Sequence, residues 1–241
     1  MNMIREAIEY IAGLVKRSEG QLLQVGDQQF HTYEELKLIR ELVPQAINVR
    51  SLSGLVGYIK SEFDGDHKLM VHVMNPTKVV AFTEFNRDKA RNFMIEAAAM
   101  LPDFKFDSWY RNEEFNISLQ SGFIPTDDRA AILRVIGTIQ EENVKTTGDN
   151  GVTQTVVAKS GIATVGNVIV PNPVVLRPFR TFVEVDQPMS EFVFRMKDGP
   201  SCALFEADGG AWKLAAMENI NAYLQKALQK EVESGKIVII A

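Results

Sequence analysis

Four carboxylates come as two E-x-D pairs, Glu184 with Asp186 and Glu206 with Asp208. Each pair ends a stretch that alternates apolar and polar residues. Successive strand side chains leave opposite faces, so both acids of a pair point the same way. In suitable register the two pairs would gather four oxygen-bearing groups able to hold Mg²⁺, as nuclease and phosphoryl-transfer chemistry requires. Nuclease sites of the restriction type normally add a lysine two residues after the acid, and neither pair has one. Acids at strand ends are usually solvated, and that reading ranks first. The expected cofactor set is therefore empty, with Mg²⁺ only under the carboxylate reading.

Two further groupings have chemical meaning. Asp208-Gly209-Gly210 joins a strand pattern to a helix pattern. Free N–H groups at such a junction bind anions, which makes Gly209 and Gly210 an anion-binding candidate. The lysine-bearing signature of a phosphate loop is absent. A tight turn needing positive φ, with Asp208 as cap and Trp212 as packing anchor, explains the same residues. Arg177, Arg180 and Arg195, with Phe179 and Trp109, have the composition of a groove for single-stranded nucleic acid. Cross-strand pairing of Arg180 and Arg195 with Glu184 and Glu206 explains the arginines without a partner and ranks ahead. His31, His67 and His72 have no metal-ligand spacing, and Cys202, the single cysteine, reads as a small core residue.

The elements that must position these residues follow from periodicity. Thr181–Val185, Glu191–Met196 and Cys202–Ala207 alternate like half-buried strands. Asp186-Gln187-Pro188 and Lys197–Pro200 supply turn chemistry between them. Short spacing predicts an antiparallel meander. A long helix follows, with Ala216, Ile220, Tyr223, Leu224, Ala227 and Leu228 in one stripe, expected to pack on the meander. Gly235 is its expected stop, and Ile237–Ile240 a final strand.

Upstream, Ile4, Ala7, Ile8, Ile11, Leu14 and Val15 form an amphipathic opening helix. Packing against its own domain ranks ahead of an oligomer contact. Leu22–Phe30 reads as a hairpin turning at Gly26-Asp27. Thr32–Glu35 has capping-box spacing, which predicts a short helix ending before Pro44. Ala46–Val49 reads as a strand, and Ser51 caps a helix with Leu52, Leu55, Val56 and Ile59 on one face. Leu69–Val73 and Lys78–Glu84 are strands about Asn75-Pro76-Thr77. Lys89–Met100 is ambiguous: its Ala and Met content favours a helix, its Phe93/Ile95 alternation and meander context a third strand, and the strand ranks ahead. Glu113–Gln120 and Thr126–Ile139 read as helices. Val144–Thr147 and Val152–Ala158 flank the turn signal Gly148-Asp149-Asn150-Gly151, an exposed polar hairpin suited to bind a partner. Val165–Val170 and Val174–Leu176 follow.

The expected class is α+β, antiparallel sheets packed by amphipathic helices. A soft boundary near residues 140–150 suggests a mixed part, 1–142, and a meander-plus-helix part, 143–241. The chain has 241 residues, 46% of them apolar, ordinary for a protein with a core. Its net charge of −5 argues against a generally basic nucleic-acid coat. Charged residues interrupt every apolar run, which points away from a membrane span, and Arg5, Glu6, Glu9 and Lys16 make the N-terminus unlike a secretory signal. A lone cysteine fits a reducing cytoplasm.

Several segments resemble a family of conserved phage and prophage proteins of unknown function. They are GDNGVTQ at Gly148–Gln154, VPNPVVLRPFRTFVEVDQP at Val170–Pro188, EFVFR at Glu191–Arg195 and FEADGGAW at Phe205–Trp212, with SLSGLVGYI at Ser51–Ile59 similar to the family's N-terminal half. The resemblance implies a virus-encoded protein of the host bacterial cytoplasm, among genes of DNA metabolism or host takeover rather than virion structure. It supplies no catalytic residues. The leading expectation is a non-enzymatic accessory protein that binds a host or phage protein, as a homo-oligomer. A Mg²⁺-dependent nuclease or phosphoryl-transfer enzyme and a single-strand-binding helper are the alternatives.

Overall fold

The computed structural model describes residues 2–18, 21–32, 36–138, 144–149, 154–160, 163–170, 172–197 and 201–241. The fold is α+β. An N-terminal helix α1 (Asn2–Ser18) precedes a small antiparallel sheet of β1 (Gln21–Val25), β2 (Gln28–Thr32) and β3 (Leu36–Ile39). The β1–β2 hairpin turns at Gly26, whose φ of 62° suits glycine. Leu36–Ile39 is a strand paired with β2, not the predicted helix. Its Leu-x-Leu alternation outweighs the capping-box spacing, whose residues 33–35 lie outside the described residues.

A mixed five-stranded sheet follows. It holds β4 (Ile47–Val49), β5 (Leu69–Asn75), β6 (Lys78–Phe85), β7 (Arg91–Ala98) and, from the far end of the chain, β16 (Ile237–Ile240), in the order β16-β5-β6-β7-β4. The outer strands β16 and β4 pair in parallel, the rest antiparallel. Asn75 closes the β5–β6 turn by accepting the Thr77 N–H at 2.9 Å. Lys89–Met100 is a strand as read, over Arg91–Ala98. Helix α2 (Leu52–Ser61) starts at Ser51, whose hydroxyl accepts the Gly54 N–H at 3.0 Å.

The second five-stranded sheet is antiparallel. It contains β8 (Tyr110–Arg111), β9 (Phe123–Ile124), β13 (Val174–Pro178), β14 (Ser190–Lys197) and β15 (Ser201–Glu206), in the order β8-β15-β14-β13-β9. Helices α3 (Asn112–Gly122) and α4 (Asp127–Thr138) cover one face, where Phe115, Leu119, Ile132 and Val135 meet Val174, Leu176, Phe192, Phe194 and Leu204. Between α4 and β13 runs a three-stranded sheet of β10 (Val144–Asp149), β11 (Gln154–Ser160) and β12 (Ala163–Val170). The hairpin expected at Gly148–Gly151 is present as the β10–β11 pair. Gly148 and Asp149 end β10, whereas Asn150 and Gly151 lie outside the described residues.

Two expectations for the C-terminal region are corrected. Thr181–Val185 is not a strand but a bend and turn; the meander's first strand is β13. The C-terminal helix, α5 (Trp212–Ala227) with its continuation α6 (Gln229–Glu233), does not pack on the meander. Its stripe of Ile220, Leu224 and Leu228 joins Leu55, Ile59, Val71, Val73, Ala81 and Ile95 in the mixed-sheet core. The face of the meander is already filled by α3 and α4. Gly235, at φ 74°, turns the chain into β16. Both five-stranded sheets draw strands from either side of residues 140–150, whereas the three-stranded sheet β10-β11-β12 begins there.

Leu224 is fully buried at the centre of this stripe. Leu224→Ala should cost about 2–5 kcal/mol. Chemical denaturation checks this; an unchanged midpoint would contradict the packing.

Candidate functional site

The segment between β13 and β14 organises the charged residues. After Pro178 the chain leaves the antiparallel sheet and turns back through Phe182 to Gln187. Gln187 is 2% exposed. Its carbonyl oxygen accepts the N–H groups of Arg180 (3.0 Å) and Thr181 (3.2 Å), and its amide donates to the carbonyls of Phe182 (2.9 Å) and Val185 (3.2 Å). One buried side chain thus uses two donors and two acceptors, its whole capacity. Thr181 donates its hydroxyl to the Pro76 carbonyl in the β5–β6 turn. Phe182 inserts into the mixed-sheet core.

The four predicted carboxylates go to separate tasks. Glu184 accepts the N–H groups of Leu52 (3.1 Å) and Ser53 (2.8 Å), capping α2 from 131 residues away in sequence. A carboxylate there also suits the positive end of the helix dipole. Asp186 pairs with Arg177, whose Nε–H donates to the Gln187 backbone carbonyl at 3.1 Å. Glu206 pairs with Arg180. Asp208 accepts the Gly210 N–H at 3.0 Å. The two E-x-D pairs are not brought together as a ligand set. Among the described residues, no group of three or more His, Cys, Asp or Glu side chains stands close enough to hold a metal ion.

Gly209 and Gly210 have φ of 62° and 82° and make the turn into α5. The donor of Gly210 that an anion would use already faces the Asp208 carboxylate. Burial pushes that carboxyl up, but hydrogen bonds from Gly210, Ser190 and the Trp212 backbone, with the Arg180 charge, outweigh it. The result lies below the ordinary value of 3.8.

Arg180 is 6% exposed and lies in an aromatic box. Its guanidinium is 3.9 Å from the Trp212 ring centroid, 5.1 Å from Phe106 and 5.3 Å from Phe192, and it also donates to Glu206 and Ser190. Burial lowers its pKa to about 10, against the opposing pull of Glu206 and Asp208, so it stays cationic at neutral pH. Beside it lies a cleft of about 230 Å³ that includes Phe104, Phe123, Phe179 and Trp212 in its walls. The predicted arginine groove is therefore divided. Arg180 belongs to the interior, Arg177 to Asp186, and Phe179 to the cleft.

Arg195 lies elsewhere, on the outer face of the antiparallel sheet, where one of its N–H groups reaches the Phe194 carbonyl at 3.3 Å. Trp109 is on that side too. Its ring meets Phe205 edge-on at 6.0 Å, and Lys197 Nζ stands 4.4 Å from its centroid. Cys202 is buried, donates its S–H to Asn112 at 3.1 Å, and has its thiol pushed by burial up to about 12, which leaves it un-ionised at neutral pH. His67 contacts the Asp64 carbonyl at 2.9 Å. Sequence reasoning missed Gln187, which it read as a turn residue, and Ser190, which it left outside every element. Both lie among charged and turn residues, so no local pattern marks them.

No protein-family model, curated protein or solved structure matches the chain.

Gln187→Leu keeps the side-chain volume and removes four hydrogen bonds. Each buried group left unpaired should cost about 1–3 kcal/mol. A melting temperature equal to wild type would contradict the role of Gln187. A second outcome concerns pH. The depressed Asp208 carboxyl contributes stability that is present above its unfolded value near 3.8 and is lost as pH falls through the lower folded value. Asp208→Asn should therefore melt below wild type at neutral pH, and the gap should close on acidification below about pH 4. A gap constant across pH would count against this assignment.

Proposed function

We propose that the protein is a phage- or prophage-encoded accessory protein that works by binding macromolecules and assembles with copies of itself through α1. The observation that carries this reading is the unpacked stripe of that helix. Ile4, Ile8 and Ile11 are 71%, 61% and 58% exposed, and Leu14 and Val15 are exposed beside them. The expectation that α1 packs on its own domain is thereby overturned. Leu22, Val25, Leu42 and Val43 of the adjoining segment are exposed as well. An apolar helix stripe left exposed marks an interaction site in soluble proteins.

A second copy is the occupant that suits the helix. Arg5 binds Glu9 along the helix at 3.1 Å, outside the stripe. The sequence places Glu6 and Glu9 in the first half and Lys16 and Arg17 in the last turn. Two such helices laid antiparallel put unlike charges, and unlike ends of their dipoles, beside one another. The phage attribution is supported by the sequence resemblance, as is a role in host takeover, counter-defence or phage DNA metabolism in the bacterial cytoplasm. The binding reading is favoured over Mg²⁺-dependent catalysis because each carboxylate proposed for the metal already caps a helix, pairs with an arginine or closes the turn before α5.

Sedimentation velocity tests the assembly. Wild type should sediment as an oligomer, and Ile8→Glu with Ile11→Glu should reduce it to monomer while leaving the melting temperature of the rest unchanged. A monomeric wild type across the accessible concentration range, or an oligomer unaffected by both substitutions, would overturn it.

A further inference from the structure

The antiparallel sheet has one face under α3 and α4 and another that carries a different set of residues. Period-two alternation in β14 sends Phe192, Phe194 and Met196 to the core and Val193, Arg195 and Lys197 to the other side. The strand register builds rows across that side. Lys197 lies opposite Ser201, and Ser201 opposite Arg111 on β8. In the next row Arg195 lies opposite Ala203, and in the one after it Val193 lies opposite Phe205. Trp109, just before β8, is 41% exposed and touches both Phe205 and Lys197. Three cations, an exposed indole and a half-buried phenyl ring thus share three adjacent strands. The acid of β14 on this side is Glu191, beyond the Phe205 row.

This local charge is opposite in sign to the chain's net −5. Cations alone would suit any polyanion. The exposed indole is the discriminating feature, because an unstacked base offers a flat π face to it and a duplex does not. Stacking on aromatic side chains with phosphates held by Lys and Arg is how single strands are bound without base-specific readout. A sheet holds such groups at fixed spacing with little loss of freedom on binding.

We propose that this face, centred on Trp109, Phe205, Lys197, Arg195 and Arg111, binds single-stranded nucleic acid. It rests on the binding reading above and names its ligand class. Its failure is separable, because assembly through α1 is judged by sedimentation and not by this surface. Arg177 and Arg180, drawn by sequence into the same groove, take no part, because they lie with Asp186, Glu206 and Trp212 and not on this face.

Fluorescence anisotropy of the full-length protein with labelled oligothymidine, matched oligouridine and a duplex of equal length tests the proposal. Saturable single-strand binding that weakens steeply with salt is expected, and the preferred oligomer tells DNA from RNA. Trp109→Ala should weaken it by roughly fivefold or more, while Trp109→Phe, which keeps a stacking ring, should retain most of it. Lys197→Ala should weaken binding and flatten the salt slope by about one. Lys226→Ala, on the exposed side of α5, should leave it unchanged. Circular dichroism melts establish that each variant is folded. Absence of single-strand binding at low salt, preference for the duplex, or equal effects of Lys197→Ala and Lys226→Ala would each overturn the proposal, as would a folded Trp109→Phe variant that binds no better than one lacking Lys197.

Discussion

The satisfaction of one buried amide fixes how the two halves of this protein meet. The chain leaves the antiparallel sheet at Pro178 and re-enters it at Ser190, and in between it must cross to the mixed sheet. Such a crossing carries backbone polar groups into the interior, where an unpaired N–H or C=O is costly. Gln187 answers four of them at once. With the turn so held, Phe182 reaches the core of the other sheet, Thr181 reaches the β5–β6 turn, and Glu184 reaches the start of α2. Asn219 on α5 adds a donor to the Asp186 carbonyl at 2.8 Å. A single loop therefore contacts both sheets and two helices.

That arrangement also decides which chemistry stays inside. A guanidinium buried beside Trp212 needs its carboxylate and hydroxyl partners, since an unpaired charge there would be far costlier than the pair. Glu206 and Ser190 meet that need, and Asp208 holds the Gly210 N–H of the turn that leads into α5. The polar groups with the most distinctive sequence spacing are thus consumed by the fold. The apolar stripe of α1 and the basic, aromatic side of β14 and β15 are among the surfaces the fold leaves facing outward.

Much of the architecture was legible where side-chain period and burial coincide. Leu69–Val73 and Glu191–Met196 alternate because one side of each faces a core, whereas Val79–Phe82 of β6 is buried on both faces and reads as a continuous apolar run. Thr181–Val185 alternates for another reason: Phe182 is buried and Val183 exposed across a turn, and two residues of contrast imitate a strand. The target of the α5 stripe was illegible because periodicity gives a helix its apolar side but not the surface that accepts it. The residues around Arg180 were half legible. Their charges suggested pairing, and Arg180 does pair with Glu206, but Glu184 was assigned an arginine and caps a helix instead. Such contacts span 131 residues of sequence, and no local pattern encodes them.

Hydroxyl-radical footprinting of the full-length protein, free and with a single-stranded oligonucleotide, is the most direct test of the claim that its interior charges are structural and its outward surfaces do the binding. The account predicts that self-assembly shields Ile8 and Ile11, that the oligonucleotide shields Trp109 and Phe205, and that Phe182 and Trp212 keep the same reactivity in both states. Protection centred on Trp212 and Phe179, with Trp109 and α1 unchanged, would contradict it and place the working site at the Arg180 cleft.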